Sequence, residues 1–282
     1  MRPCSCRNAP PPSVEALFFP REVILLPIRQ DIPRAALVTG GAKRLGRAIC
    51  LALADAGFDV AIHYNASAAE AEALAQVIRA RGRRAVALQA ELMREADVAT
   101  LIPRATEALG PLGVLVNNAS TFERDEWDDA TRESWDLHVE PNLRAPFLLM
   151  QGFAAGLAAP QHGFILNMLD QRVMSLTPHF VTYTVSKAGL WALTRQMALA
   201  LAPRIRVVGI GPGPALPSPR QSQAQFDRQC ASVPLARGTS PEEIAAAAMA
   251  LLALPSVTGQ IVNLDGGQHL QWSPAQGGTP EE

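Results

Sequence analysis

The chain has 282 residues, with 25 Lys and Arg against 26 Asp and Glu, and a formal net charge of −1. That balance argues against nucleic acid as a main partner, because phosphate binding leaves a basic excess. Hydrophobic residues at 48% supply a core, charged residues at 18% are too few for a disordered chain, and no apolar run predicts a membrane span.

Residues 1–33 hold seven of the 23 prolines and show no sustained periodicity, which predicts a flexible extension. Their apolar pieces are interrupted by Pro20, Arg21, Glu22 and Pro27, unlike the continuous apolar centre of a secretory signal. Cys4 and Cys6 have no second pair nearby, so no metal site is expected from them. With Cys50 and Cys230 they do not form a disulfide scaffold; a reducing, cytoplasmic setting fits better.

From Arg34 the pattern becomes regular. AALV at 35–38 is a short apolar run ending in Thr39-Gly40-Gly41, and a helical stretch from Arg44 to Ala56 stops at Gly57. Next come a strand at 58–64, a helix over 68–80, a strand at 84–90, a helix near 96–109 and a strand at 113–119. A long helical region near 131–157, a strand at 163–169, a helix near 180–201 and a strand at 205–211 follow. A helix near 241–254 and a strand at 260–266 complete the series, and residues 273–282 read as a disordered tail. Strands that are apolar on nearly every residue and alternate with helices predict a parallel sheet covered on both faces. The expected fold class is α/β: a single doubly wound Rossmann-type domain over residues 34–272 with a seven-stranded parallel sheet.

The first strand–helix turn reads Thr39-Gly40-Gly41-Ala42-Lys43-Arg44-Leu45-Gly46. Glycines there permit a tight turn and let backbone approach a pyrophosphate, which the helix N-terminus stabilises. Lys43 and Arg44 add positive charge at that point. The end of the second strand, His63-Tyr64-Asn65-Ala66-Ser67, carries no carboxylate to bind a ribose diol and repel a 2′-phosphate. With Lys43 and Arg44, this favours NADPH as cofactor. Tyr183 and Lys187 stand four apart, on one face of a helix. A free phenol titrates near 10, and a neighbouring ammonium favours the phenolate, so the pair suits proton transfer at neutral pH.

Together with Asn117-Asn118-Ala119, the Gly211-Pro212-Gly213 turn and the closing Asp265-Gly266-Gly267, these motifs resemble the short-chain dehydrogenase/reductase family in order and spacing. The resemblance implies that Gly40, Arg44, Leu45, Gly46 and Gly213 hold the cofactor and that Asn117 and Ala119 border its adenosine. It implies that Lys187 binds the nicotinamide ribose as well as tuning Tyr183, and that Asn142 holds a water in a proton relay. Pro141 just before Asn142 removes a helical hydrogen bond and can leave a carbonyl for that water. A homotetramer is expected on the same ground.

The departures carry more information than the matches. Where most members have a serine thirteen residues before the tyrosine, this chain has Asp170, and Arg44 replaces the middle glycine of the turn. Both resemble the pteridine reductase branch, as do His63-Tyr64 and Asn117 to Phe122. There, Phe122 would stack on a pterin, Ser120 would bond pterin or cofactor phosphate, and Arg44 would reach pyrophosphate and substrate. A carboxyl in a network with Tyr183 suits a ring nitrogen that becomes basic as hydride arrives, whereas an ionised carboxylate repels a ketone's oxyanion. Two features cut against the branch: Asn65 and Ala66 replace a basic residue in the 2′-phosphate loop, and Glu91 stands where an aspartate contacts adenine.

The expected activity is therefore NADPH-dependent reduction of pterins or dihydropterins, with Asp170, Tyr183, Lys187 and Asn142 catalytic. The alternatives are a carbonyl or 3-oxoacyl reductase and, less favoured, a non-catalytic dinucleotide-binding regulator. The substrate lid is expected at 212–219 and on to Arg237. The five histidines, His63, His138, His162, His179 and His269, lack ligand spacing, so no metal is expected.

Overall fold

The computed structural model of the protein describes residues 27–218 and 220–270. Most of the proline-rich extension, with Cys4 and Cys6, and the tail expected at 273–282 lie outside the described residues.

Seven parallel strands form one sheet in the order β3-β2-β1-β4-β5-β6-β7. They are β1 (Ala35–Val38), β2 (Asp59–Tyr64), β3 (Ala85–Gln89), β4 (Val114–Asn117), β5 (Gly163–Met168), β6 (Ile205–Pro212) and β7 (Ile261–Leu264). The helices are α1 (Arg44–Asp55), α2 (Ala68–Ala80), α3 (Glu95–Leu109), α4 (Arg132–Val139), α5 (Ala145–Gly156), α6 (Val181–Ala200), α7 (Gln223–Ser232) and α8 (Pro241–Ala253). Alternation along the strands feeds two cores. Ala36, Val38, Val60, Ile62, Val114 and Val116 pack with α1, α2 and α8, whereas Leu37, Ala61, Leu115 and Ile165 pack with α3 and α5. The expected sheet and its covering on both faces are what the structure shows.

Three details differ from expectation. The packed body begins before Arg34: Ile32 is 2% exposed within the first core, and a Cβ on Gly113 would lie 2.1 Å from the Pro33 carbonyl oxygen. The long helix near 131–157 is instead α4 and α5 joined by a π-helical turn at Glu140–Arg144, because Pro141 has no N–H to continue the α-helical ladder. The segment expected as the lid contains α7, capped by Ser222 and Gln225 reciprocally but burying no side chain, so apolar periodicity gave no sign of it. Among the described residues no helix is long and apolar enough to cross a membrane.

The chain leaves β1 for β2 and β3 on one side, then returns to lay β4 against the other side of β1. Strand order reverses there, and the crevice beyond the carboxyl ends of β1 and β4 is where such sheets take ligands.

Candidate active site

Beyond β1 the turn is locked by short bonds from its neighbours. Thr39 Oγ1 accepts the N–H groups of Asn118 at 2.9 Å and Ala119 at 3.0 Å, and Asn118 Nδ2 donates to the carbonyls of Thr39 and Gly40 at 2.9 and 3.1 Å. His63 closes the other side: its Nδ1 accepts from Gly40 N–H at 3.0 Å, which leaves the proton on Nε2 to donate to the Ala90 carbonyl at 3.1 Å. Burial pushes the His63 pKa down to about 4, so the ring is neutral, as this bonding requires. Gly40 adopts φ +59°, and a Cβ on Gly46 would fall 2.3 Å from the Gly40 carbonyl oxygen. Arg44, standing for a glycine, itself takes the left-handed conformation at φ +52°.

A cavity of about 490 Å³ opens over this turn, lined by Gly40, Lys43, Arg44, Leu45, Gly46 and His63 on one side. Asn65, Glu91, Ala119 and Ser120 line it from the facing loops. The start of α1 suits a pyrophosphate: its first turn has no acidic residue, its N-cap Lys43 makes no side-chain cap, and no Cβ obstructs Gly46. Lys43 pairs with Glu70 at 2.6 Å, and Asn65 donates to Glu91 at 2.8 Å.

Three expected cofactor residues lie elsewhere. Asn117 is 3% exposed and donates to Asn167 Oδ1 at 2.8 Å, and Asn167 donates to Thr194 Oγ1 at 2.9 Å. It shares the sheet face of Leu115, so its side chain joins β4, β5 and α6; Asn118 is the asparagine that lines the cavity. Tyr64 shares the face of Val60 and Ile62 and packs on the first core. Ser67 is the N-cap of α2 and borders neither cavity described here.

A second cavity of about 260 Å³ shares Arg44, Leu45, Asn118 and Ser120 with the first, and is walled by Phe122, Asp170, Arg172, Tyr183, Lys187 and Gly213. Asp170 ends the segment after β5 and caps the following turn by accepting Arg172 N–H at 2.8 Å. Its other oxygen accepts the Tyr183 hydroxyl at 2.8 Å and lies 3.6 Å from the Arg172 guanidinium. Lys187, one turn along α6 from Tyr183, is 2% exposed; its Nζ donates to the Met168 carbonyl at 2.8 Å and sits 5.8 Å from the Tyr183 ring centroid. Burial pushes the Lys187 pKa down to about 8, against the opposing pull of Asp170.

Asn142 is fully buried in the π-helical turn. Its amide accepts Thr121 N–H at 2.9 Å and donates to the Thr121 carbonyl at 2.9 Å and to Ser186 Oγ at 3.1 Å. The side chain thus fastens the loop after β4. Phe122 follows on that loop. Its ring stacks on Phe180 with centroids 4.7 Å apart and meets the Tyr183 ring edge-on at 4.6 Å. Phe180 therefore covers one face of the Phe122 ring.

The segment expected as the lid is tied down by two arginines. Arg44 donates to the Leu216 and Pro217 carbonyls at 3.3 and 3.1 Å. Arg220 donates to the Phe122 carbonyl at 2.9 Å, pairs with Glu123, and lies 5.7 Å from the Phe122 ring centroid. Phe180, Arg172 and Arg220 were not expected at the site from sequence. The tie from Arg220 to Phe122 spans 98 positions, a separation no local motif reports.

A family model described as enoyl-(acyl carrier protein) reductase matches residues 40–269, most of the chain. The chain belongs to the short-chain dehydrogenase/reductase family. It is an oxidoreductase of that family. A 3-oxoacyl-[acyl-carrier-protein] reductase, FabG, from Staphylococcus aureus is 30% identical over 242 residues, covering 84% of this chain and 98% of the relative. Among solved structures, FolM alternative dihydrofolate reductase 1 from Brucella canis, complexed with NADP, is 42% identical with a TM-score of 0.84, covering 89% of this chain and 100% of that one. The FolM structure from Brucella suis, also with NADP, is 44% identical with a TM-score of 0.83, covering 86% and 97%. The comparisons therefore bear out the family expected from sequence and the likeness to its pteridine reductase branch.

Proposed function

We propose that this enzyme is an NADPH-dependent reductase of pterins or dihydropterins. The observation that carries the reading is the hydrogen bond of 2.8 Å from the Tyr183 hydroxyl to the Asp170 carboxylate on the wall of the smaller cavity. The start of α1, with Gly40 and Gly46, would hold the pyrophosphate of NADPH, which would supply the hydride. The residues of the chain then manage the proton. Hydride addition to the carbon of a ring C=N leaves the electron pair on nitrogen, and that nitrogen takes a proton from the Tyr183–Asp170 pair. Solvent restores the proton to the pair. Lys187 favours the phenolate form of Tyr183 while it carries charge, and Phe122 offers an aromatic face to the substrate. Lys43 and Arg44 supply the cations for the cofactor, and Ser120 lies where the two cavities meet.

The second reading, a carbonyl or 3-oxoacyl reductase, is favoured by the match to FabG. In that reaction an oxyanion forms beside Asp170, so the carboxyl must be protonated to help. A panel of dihydropterins and ketones with NADPH and NADH separates the two. Turnover of a dihydropterin, lost in Asp170→Ser while ketone reduction rises, is the expected result. No pterin turnover alongside rapid ketone reduction rejects the first reading. A homotetramer is also proposed, and light scattering that returns only monomer counts against it.

A further inference from the structure

Behind the smaller cavity lies a buried polar chain that the reaction does not use. His138, on the last turn of α4, is 0% exposed, as is Thr182, while Asp125 is 5% exposed. His138 Nε2 accepts Glu123 N–H at 3.0 Å, which places its proton on Nδ1, facing the Ser134 carbonyl at 3.0 Å and Thr182 Oγ1 at 2.7 Å. The Thr182 hydroxyl donates to Asp125 Oδ2, and Thr182 N–H reaches Asp125 Oδ1 at 3.3 Å. Burial holds the imidazole below its ordinary pKa although Asp125 and Glu123 are near, consistent with one nitrogen accepting.

The residues these bonds hold are informative. Glu123 directly follows Phe122, and Thr121 directly precedes it. His138 grips the backbone on one side of Phe122 and Asn142, four residues further along the same helical run, grips it on the other. The Asp125 carbonyl accepts Phe180 N–H at 2.9 Å, which helps hold Phe180 at φ +58°, a conformation unfavourable for a bulky side chain. That conformation accompanies the stacking of the Phe180 ring on Phe122. A buried histidine can be mere core filling; this one is bonded at Nε2 to the segment that carries the aromatic platform, and at Nδ1 to Thr182, whose hydroxyl bonds Asp125 of the same segment.

We propose that His138 is a positioning residue for substrate binding: with Thr182 and Asp125 it sets where Phe122 stands, and through Phe122 the affinity for substrate. The inference rests on the reading of Phe122 as a substrate platform, but not on the substrate being a pterin.

The test compares His138→Asn, which keeps a donor near Nδ1 but loses the acceptor for Glu123 N–H, with His138→Gln, whose carbonyl reaches the Nε2 position. Each is assayed with whichever substrate the wild type turns over fastest, so failure of the pterin reading leaves this test intact. Expected for His138→Asn is a KM raised about tenfold with kcat and NADPH affinity little changed, as loss of the partner of a part-buried N–H implies. Amide hydrogen exchange at Glu123 should also accelerate in that variant, while His138→Gln stays near wild type in both. Equal KM values in the two variants, or unaltered exchange at Glu123 in His138→Asn, overturn the proposal. If His138→Asn does not fold, Thr182→Val decides: a raised KM with unchanged NADPH affinity supports it, and an unchanged KM overturns it.

Discussion

At the larger cavity, Thr39 and Gly40 are held by backbone amides and by the side chains of Asn118 and His63, and Gly46 packs closely on Gly40. At the smaller one, Phe122, Asp170, Arg172 and Tyr183 are long side chains from three separate segments that hold one another. The first arrangement tolerates little change because backbone cannot move aside. The second can be retuned by single substitutions, since each wall is one side chain. A reductase that keeps its cofactor while changing its substrate needs this division.

The largest effect is expected from Tyr183→Phe. It removes the hydroxyl bonded to Asp170 but keeps the ring against Phe122, so kcat should fall roughly 10²- to 10⁴-fold. NADPH affinity, measured by fluorescence titration, should stay within about twofold if the cavities act separately. A large loss of affinity would break the comparison.

Gly46→Ala tests the backbone side. Its Cβ would lie 2.3 Å from the Gly40 carbonyl oxygen and 2.9 Å from Gly41 Cα, neither able to yield cheaply. Thermal or denaturant unfolding should show a loss of about 1–3 kcal/mol, and NADPH should bind more weakly. Unchanged stability would mean the turn is more pliable than its bonding implies.

The pH profile sharpens the contrast. Lys187 has its pKa depressed to about 8, so it is charged below that pH and helps Tyr183 toward phenolate; raising the pH through that value discharges it. The expectation is a kcat/KM that declines above pH about 8. Lys187→Met should lose that limb along with most activity. A wild-type profile still rising at pH 9 would remove Lys187 from the role.

The smallest effect belongs to Arg44→Gly. A glycine takes φ +52° freely, which favours the variant by about 1 kcal/mol. Against this, the variant loses the ties to the Leu216 and Pro217 carbonyls and one cation over the larger cavity. Melting should therefore shift little or slightly upward while NADPH affinity drops several-fold. A marked loss of stability would show that the lid tie outweighs the backbone strain.

Much of this was readable from residues alone where the chemistry is local. The seven strands follow from apolar runs between turn residues, and Tyr183 with Lys187 follows from helical spacing. Asp170 was legible because it replaces an expected serine at a set distance. Tyr64, Ser67 and Asn117 were misplaced because a strand end or helix start says where a residue stands, not which way its side chain points. Alternation turns Tyr64 and Asn117 toward packed helices instead. Nothing local could show that the Asn142 amide fastens Thr121, 21 positions away.

Sequence by itself determined the layered α/β architecture, the glycine turn and the tyrosine–lysine pair, since each depends on neighbours within about one helical turn or one strand. Only the tertiary structure decided that Phe180 lies on Phe122, that His138 and Asn142 grip the loop on either side of it, and that two arginines tie down the segment expected as the lid. Those contacts join residues tens to more than a hundred positions apart. Their formation depends on how packed elements bring distant side chains within bonding distance, which no local pattern encodes.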